Sequence, residues 1–244
     1  MPPIHSSTIL IFGGSSGIGY AVAEKCLTEG GVVHIASSNE SKVNASVQAL
    51  KKKHNGAPIS GHVCDLSGSE VEKDLERLLS AVAPIDHIVF TAGESLAVKP
   101  LDSINLGLIQ RAGHIRFAVP LLIAKLAPRF MKPGYTSSIT LTTGAGSQKP
   151  FPGWALVAEY LTGLHGITRT LALDLKPLRV NLVSPGVVAT PLWGSDVPPE
   201  EVKNQTALRK VGSPEEVAEA YVYLMKDTNA TGSCVSTNGG SLLL

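Results

Sequence analysis

The sequence predicts an α/β fold: one parallel sheet, doubly wound by helices on both faces, in a single domain. Two observations carry that expectation. Short apolar runs rich in β-branched residues alternate with helical segments along the whole chain. That is the pattern of strands buried on both faces and joined by helical crossovers. In addition, no internal repeat, low-complexity tract or Pro/Gly/Ser-rich linker divides the 244 residues, a length that one large core can serve.

The strands read, in order, as TILIF (8–12), VVHIA (32–36), ISGHV (59–63), HIVFT (87–91), SITLT (138–142) and RVNLV (179–183), all short, apolar and β-branched. VSTNGG from Val235 can add a last short strand. Helical segments fall between them at 17–29, 41–53, 69–82, 101–131, 155–175 and 214–226. SPEEVAEA has a complete start signal: Ser213 as N-cap, Pro214 at the first position and Glu216 to close a capping box. Ligands of such a sheet bind at the carboxyl ends of its strands.

Composition narrows the class. A hydrophobic content of 43% with 17% charged residues belongs to a globular protein and not a disordered one. A formal net charge of +1 gives no field toward nucleic acid or an anionic membrane, so neither is an expected partner. The KKKH run at Lys51 to His54 reads as the solvated end of a helix rather than a polyanion site. Cys26, Cys64 and Cys234 are odd in number and far apart, which fits reduced thiols in the cytoplasm and no metal site. The start MPPIHSST lacks a cationic region followed by an apolar one, so no signal peptide is expected. The apolar segment AVPLLIAKLAP is cut by Lys125 and is too short to span a bilayer.

The first strand runs directly into FGGSSGIG. Gly13 permits a sharp turn, Gly17 lets a pyrophosphate approach the backbone, and Gly19 lets the helix pack closely on the sheet. Ser15, Ser16 and Ile18 complete the loop, whose free N–H groups would face the phosphates. The second strand ends ASSN, so Ser37, Ser38 and Asn39 offer donors and no carboxylate. A carboxylate there would accept from the ribose 2′-OH of NAD and repel a 2′-phosphate. Its absence favours NADP(H), with Lys42 the nearby cation. The alternative is that these residues only cap the next helix.

The G-x-x-x-G-x-G spacing resembles the short-chain dehydrogenase/reductase family, and further matches follow in order over essentially the whole chain. Asp65 and Leu66 in CDL match the acidic segment that meets adenine, and Thr91, Ala92 and Gly93 match the end of the family's Asn-Asn-Ala-Gly. Pro185 and Gly186 match its Pro-Gly turn, with Val188 following and Thr190 at the position that meets the nicotinamide end. TGSCVSTNGG matches a C-terminal motif, with Asn238 in place of an acid. The resemblance implies a Rossmann-type fold, a substrate loop over about 190–210, and assembly as a dimer or tetramer through the helices at 101–131 and 155–175.

The family's chemistry uses Asn, Ser and a Tyr-x-x-x-Lys pair, the Tyr giving the proton that an alkoxide needs after hydride addition to a ketone. GITRTLALDL fixes the helix register, which puts Val157 at the Tyr position and Leu161 at the Lys position. Four apart, they are expected to form one apolar stripe facing the nicotinamide. The Ser position falls at Thr142 or Thr143, with Thr143 preferred, and the Asn position at Arg116. Arg116 and Thr143 are therefore the candidate catalytic residues. Tyr160 lies three residues after Val157, about 60° round the helix, and no Lys follows it. The resemblance puts Trp154 and Trp193 on loops that usually enclose substrate, the alternative being that either packs the domain edge, and Glu94 is the nearest acid by motif position.

The Arg for Asn and the PGW segment resemble a divergent branch of the family, frequent in fungi. Some of its members reduce an iminium of an indole-alkaloid intermediate and in some cases guide a cycloaddition. An iminium already carries its charge and needs no acid, which makes the loss of Tyr and Lys intelligible. Three readings follow: a reductase of an imine, iminium or activated carbonyl of a bulky small molecule; a cofactor-lined scaffold for a non-redox cycloaddition; or a nucleotide-binding subunit without chemistry.

Overall fold

The computed structural model describes residues 3–193 and 199–244, without the side chains of Trp193, Pro199 and Glu200. The β-branched runs form β1 (Thr8–Phe12), β2 (Val32–Ser37), β3 (Ile59–Val63), β4 (His87–Phe90), β5 (Ser138–Thr142), β6 (Arg179–Pro185) and β7 (Cys234–Thr237). They pair in one all-parallel sheet of order β3-β2-β1-β4-β5-β6-β7. The central strands β4 and β6 are buried throughout, whereas the edge strands β3 and β7 are only partly covered. The uniform apolar runs and the mixed ones in the sequence thus separate centre from edge.

Between the strands lie α1 (Gly17–Thr28), α2 (Glu40–Lys53), α3 (Val71–Val82), α4 (Leu106–Arg111), α5 (Val119–Phe130), α6 (Ala155–Asp174), α7 (Pro199–Lys203) and α8 (Pro214–Lys226). Strand alternation divides the core. Ile9 and Ile11 of β1 face a layer with α1, α2 and α8, while Leu10 and Phe12 face a layer with α3, α5 and α6. The chain winds outward from β1 to β3 and then crosses to β4 on the other side of β1. That reversal opens a crevice at the carboxyl ends of β1 and β4.

Two local features fix the outer helices. Ser213 and Glu216 close the capping box expected at the start of α8. At its other end the buried Arg179 donates to the carbonyls of Leu224 (2.6 Å) and Met225 (2.9 Å), covering helix-end acceptors that would otherwise be orphaned.

The continuous helix expected over 101–131 is corrected. The segment is a short turn at Leu101–Ser103, then α4, a single π-helical turn at His114–Ala118, and α5. Gly113 ends α4 because its φ of 74° is left-handed, and a Cβ there would meet the Tyr160 ring. The π turn matters for function, since it carries Arg116.

Candidate functional site

One cavity of about 810 Å³ lies in the crevice, within the range of small-molecule sites. Its floor is built by backbone geometry. Gly13 has φ 82° and Gly17 φ 52°, conformations that favour glycine. A Cβ on Gly13 would lie 2.7 Å from the Ala92 nitrogen, and one on Gly19 would overlap the Gly13 carbonyl and the Thr91 hydroxyl. The glycines therefore let α1 and the β4 loop close on β1. Thr91 seals the junction by donating to the Phe12 carbonyl through Oγ1 (2.9 Å) and N–H (3.0 Å).

The first turn of α1 is left open to a ligand. Ser16 stands at the N-cap in an extended conformation and makes no side-chain bond to that turn, so its N–H groups face the cavity together with Ser15 and Ile18. A helix N-terminus of this kind attracts a phosphate. Ser37 and Ser38 line the next part of the wall with Lys42, and Asp65 and Leu66 the part beyond. Two hydrogen bonds from Ser67, backbone and then hydroxyl, hold the Asp65 carboxyl below its ordinary range. Ala92 and Gly93 line the cavity from the β4 side, and Pro185, Gly186, Val188 and Thr190 from the β6 side. Thr190 approaches Gly17 so closely that a Cβ there would lie 3.2 Å from its methyl. A dinucleotide fits this donor set and these cradles.

Asn39 is corrected. It lies outside the cavity wall, its side-chain oxygen accepting the Lys42 N–H at 2.9 Å as the N-cap of α2. The helix takes its acceptor, leaving Lys42 to face the cleft.

The far half of the cavity depends on side chains. Arg116 reaches from the π turn to lie over Gly93, where any Cβ would overlap its guanidinium, and donates from Nη2 to the Glu94 carbonyl at 2.5 Å. Thr143 lines the wall, but its hydroxyl donates to the Leu161 carbonyl at 2.7 Å. It therefore presents the cleft with an acceptor oxygen rather than a proton. The neighbouring Thr142 is held by the Phe90 carbonyl (2.6 Å) and the Tyr221 hydroxyl (2.7 Å). Leu161 and Trp154 also form the wall, the Trp154 indole lying over Gly146 and meeting the Phe151 ring edge-on at 5.1 Å.

Two expectations for this half are corrected. Val157 does not face the nicotinamide position beside Leu161. It is 0% exposed within the core and absent from the cavity wall. A valine ends at its methyls, so the surface here belongs to the longer Leu161 and Trp154. Glu94 is not in the wall either: both carboxylate oxygens are buried without a hydrogen-bond partner. Arg116 takes the space over Gly93, and Glu94 meets it through its backbone carbonyl.

Tyr160 does not replace the missing Tyr at the cleft. It is 3% exposed, its ring packs on Gly113, and its hydroxyl is buried without a partner. The Ala97 N–H points toward it from outside hydrogen-bonding geometry. Burial pushes this phenol up; Arg116 opposes the shift and the Glu94 carboxylate adds to it. His165 is engaged by the Ser147 hydroxyl at 2.9 Å, and Glu159 is exposed. The Trp193 side chain lies outside the described residues, as does part of the expected loop at 190–210, residues 194–198.

Sequence reasoning missed several wall residues. Phe151 lies within the PFPGW stretch and Lys149 immediately before it, and the aromatic and proline content of that stretch was the available signal. Ile115 comes with the π turn, while Ser241 and Leu244 close the cavity from the C-terminal end. Lys149 donates to the backbone oxygens of those last two residues. Nothing in their local sequence marks them, because the contact is made across the fold.

Fold and cleft together define a dinucleotide-binding enzyme of the doubly wound class. A family model for an SDR-like Rossmann domain matches residues 3–244. A curated relative from Stachybotrys chlorohalonatus, the short-chain dehydrogenase/reductase ATR9, is 41% identical and the match covers 100% of both chains. Among solved structures, the MalC reductase/Diels-Alderase from Malbranchea aurantiaca aligns with TM-score 0.94 and 40% identity over 99% of this chain and 98% of its own. A small-chain dehydrogenase solved in complex with NADPH aligns with TM-score 0.80 and 25% identity over 98% of this chain and 100% of its own. The chain belongs to the short-chain dehydrogenase/reductase family. It is an oxidoreductase by that membership, with a fold built for a nicotinamide cofactor. Among the described residues no helix is long and apolar enough to cross a membrane.

Proposed function

We propose that the protein is an NADP(H)-dependent reductase of an imine, iminium or activated carbonyl group on a bulky, largely apolar small molecule. One observation carries this reading. Where the family chemistry needs an acid, the wall presents Leu161, with Val157 buried behind it and Tyr160 turned away. The bound cofactor would supply a hydride. Arg116 offers hydrogen-bond donors but is too weak an acid to give up a proton, so its role is to orient substrate. Thr143, its own proton engaged by Leu161, would accept from an N–H or lie against a cationic carbon. Trp154 and Phe151 provide the apolar, aromatic side of the pocket and exclude water.

NADP(H) is favoured over NAD(H) because Ser37, Ser38 and Lys42 line the ribose end, with no carboxylate at the end of β2. A charge-assisted contact from Lys42 to a 2′-phosphate would account for the preference. Lys42→Ala should therefore weaken NADPH more than NADH in a fluorescence titration. Assembly as a dimer or tetramer in the cytoplasm completes the reading, with exposed Leu121 on α5 and Leu173 on α6 available to a subunit contact.

A second reading keeps the cofactor as a wall of the pocket for a cycloaddition. It is favoured by the name of the Malbranchea relative, a reductase/Diels-Alderase, and by the same aromatic wall. The deciding experiment is stopped-flow NADPH oxidation with a paired ketone and cyclic iminium. Oxidation with the iminium and not the ketone is expected. Turnover of the ketone alone would sink the acid-free mechanism. Binding without oxidation of either substrate would favour the cycloaddition or a non-catalytic nucleotide-binding subunit.

A further inference from the structure

Arg116 brings a permanent positive charge to the part of the cleft where substrate would meet the nicotinamide. That charge conflicts with a cationic substrate, which it would repel. Lys149, the other cation on this side, is drawn onto the backbone oxygens of Ser241 and Leu244. Arg116 also donates to a backbone carbonyl, but its Nε is buried without a partner and no anion among the described residues touches it.

The Glu94 carboxylate is not part of the cavity wall. Both of its oxygens are buried and unpartnered, a costly arrangement that tends to persist where it serves a function. Its backbone oxygen is the atom Arg116 grips, so acid and guanidinium are tied at one residue. Tyr160 detects both: its phenol is acted on by the guanidinium and by the carboxylate, in opposite senses. The 2.5 Å bond to the Glu94 carbonyl keeps the carboxylate within one side chain's length of the guanidinium, and neither the carboxylate oxygens nor Arg116 Nε has a hydrogen-bond partner.

We infer that Glu94 is a specificity-determining residue: its buried carboxylate balances the charge of Arg116, so the cleft accepts cationic ligands while the guanidinium donors stay available. This deepens the proposed iminium reading and rests on it. The balance works at a distance. A carboxylate in the wall could bind a cation too tightly and trap it; one outside the wall cancels the repulsion and leaves Arg116 in contact with substrate. Across several ångströms of partly buried protein, removing one unit charge should change the binding of a charged ligand about tenfold.

The test measures equilibrium binding to protein loaded with NADP+, so hydride transfer is absent and its result does not depend on turnover. Three flat ligands of similar shape serve as probes: N-methylquinolinium, quinoline and 1-naphthoate. Against wild type, Glu94→Gln should weaken N-methylquinolinium about tenfold, strengthen 1-naphthoate by a similar factor and leave quinoline within twofold. Unchanged ratios among the three would overturn the inference, even if the iminium were still reduced. If Glu94→Gln does not fold, Arg116→Gln gives the mirror experiment, since it leaves the carboxylate unbalanced. N-methylquinolinium should then bind about tenfold more tightly, and unchanged or weaker binding would overturn the proposal. A selectivity shift with no iminium turnover would sink the reductase reading and leave the charge balance standing.

Discussion

The two halves of the cleft are built from different materials. At the nucleotide end the work is done by backbone: Gly13, Gly17 and Gly19 clear space, and the first turn of α1 is left with open N–H groups. At the substrate end it is done by side chains drawn from separate segments: Arg116 from a π turn, Leu161 from α6, and Trp154 and Phe151 from the loop before it. A backbone cradle tolerates almost no change, because a Cβ added at Gly13 or Gly19 would run into neighbouring main chain. A side-chain wall can exchange a phenol for a leucine and keep its fold. The comparison explains how one chain can retain a cofactor site and lose the acid that usually acts beside it.

The strongest way to break the contrast is at Gly19. A Cβ there would run into the Gly13 carbonyl and the Thr91 hydroxyl that ties β1 to β4. Gly19→Val should weaken NADPH at least a hundredfold, about 3 kcal/mol, as read by fluorescence titration. A folded variant with undiminished affinity would show that the nucleotide end is as adaptable as the other.

Below both halves, the scaffold has its own pH response. His87, at the end of β4 away from the cleft, is 3% exposed, and its Nδ1 lies 2.9 Å from the Ser138 hydroxyl. Burial pushes it down to about 4, with Arg179 and Lys132 adding to the shift and Asp86 opposing it. The unfolded chain binds this proton near pH 6.5 and the native one only near 4. Stability is therefore present above 6.5 and is lost as pH falls across that window, by up to about 3 kcal/mol. Urea melts at pH 7 and 4.5 should show the loss, and His87→Asn should flatten it. An acid limb in the rate that survives this substitution belongs to the site and not to the fold.

Arg116→Ala tests the opposite half. Cofactor affinity should stay within twofold, while kcat/KM for a reducible substrate falls about thirtyfold, or about 2 kcal/mol. Unchanged turnover would remove Arg116 from the mechanism.

How much was legible follows from the same division. The strand runs, the glycine loop and the Ser213 capping box are local, and each could be read from a few neighbouring residues. The register of α6 was equally clear, yet it misplaced Val157, because a helix position says where a side chain starts and not whether it reaches the surface. Asn39 had two readings and the helix took it. The break in 101–131 turned on Gly113, which passes for a tolerable glycine until its φ is known. Glu94 shows the limit most clearly: motif position put it beside the cleft, but Arg116 fills that space, and only three-dimensional packing reveals which of two polar side chains lines the cleft.

The smallest expected effect probes the aromatic wall through the glycine on which the Trp154 indole rests. Gly146 has no positive φ to protect, so strain is not the issue. A Cβ there would lie 2.6 Å from Trp154 Cζ3 and 3.0 Å from Cε3, and an indole ring cannot give way by bending. It must rotate or shift as a body, toward the cavity or toward Phe151. Gly146→Ala should therefore raise the substrate KM about threefold to tenfold, near 1 kcal/mol, with NADPH affinity unchanged and a shift in tryptophan emission. Read in a Trp193→Phe background, which leaves Trp154 as the one indole of the chain, the emission change separates a failed substitution from a failed idea. A moved indole with an unaltered KM would mean that this side of the cavity does not hold substrate, and the chemical half would then be reduced to the surface around Arg116 and Leu161.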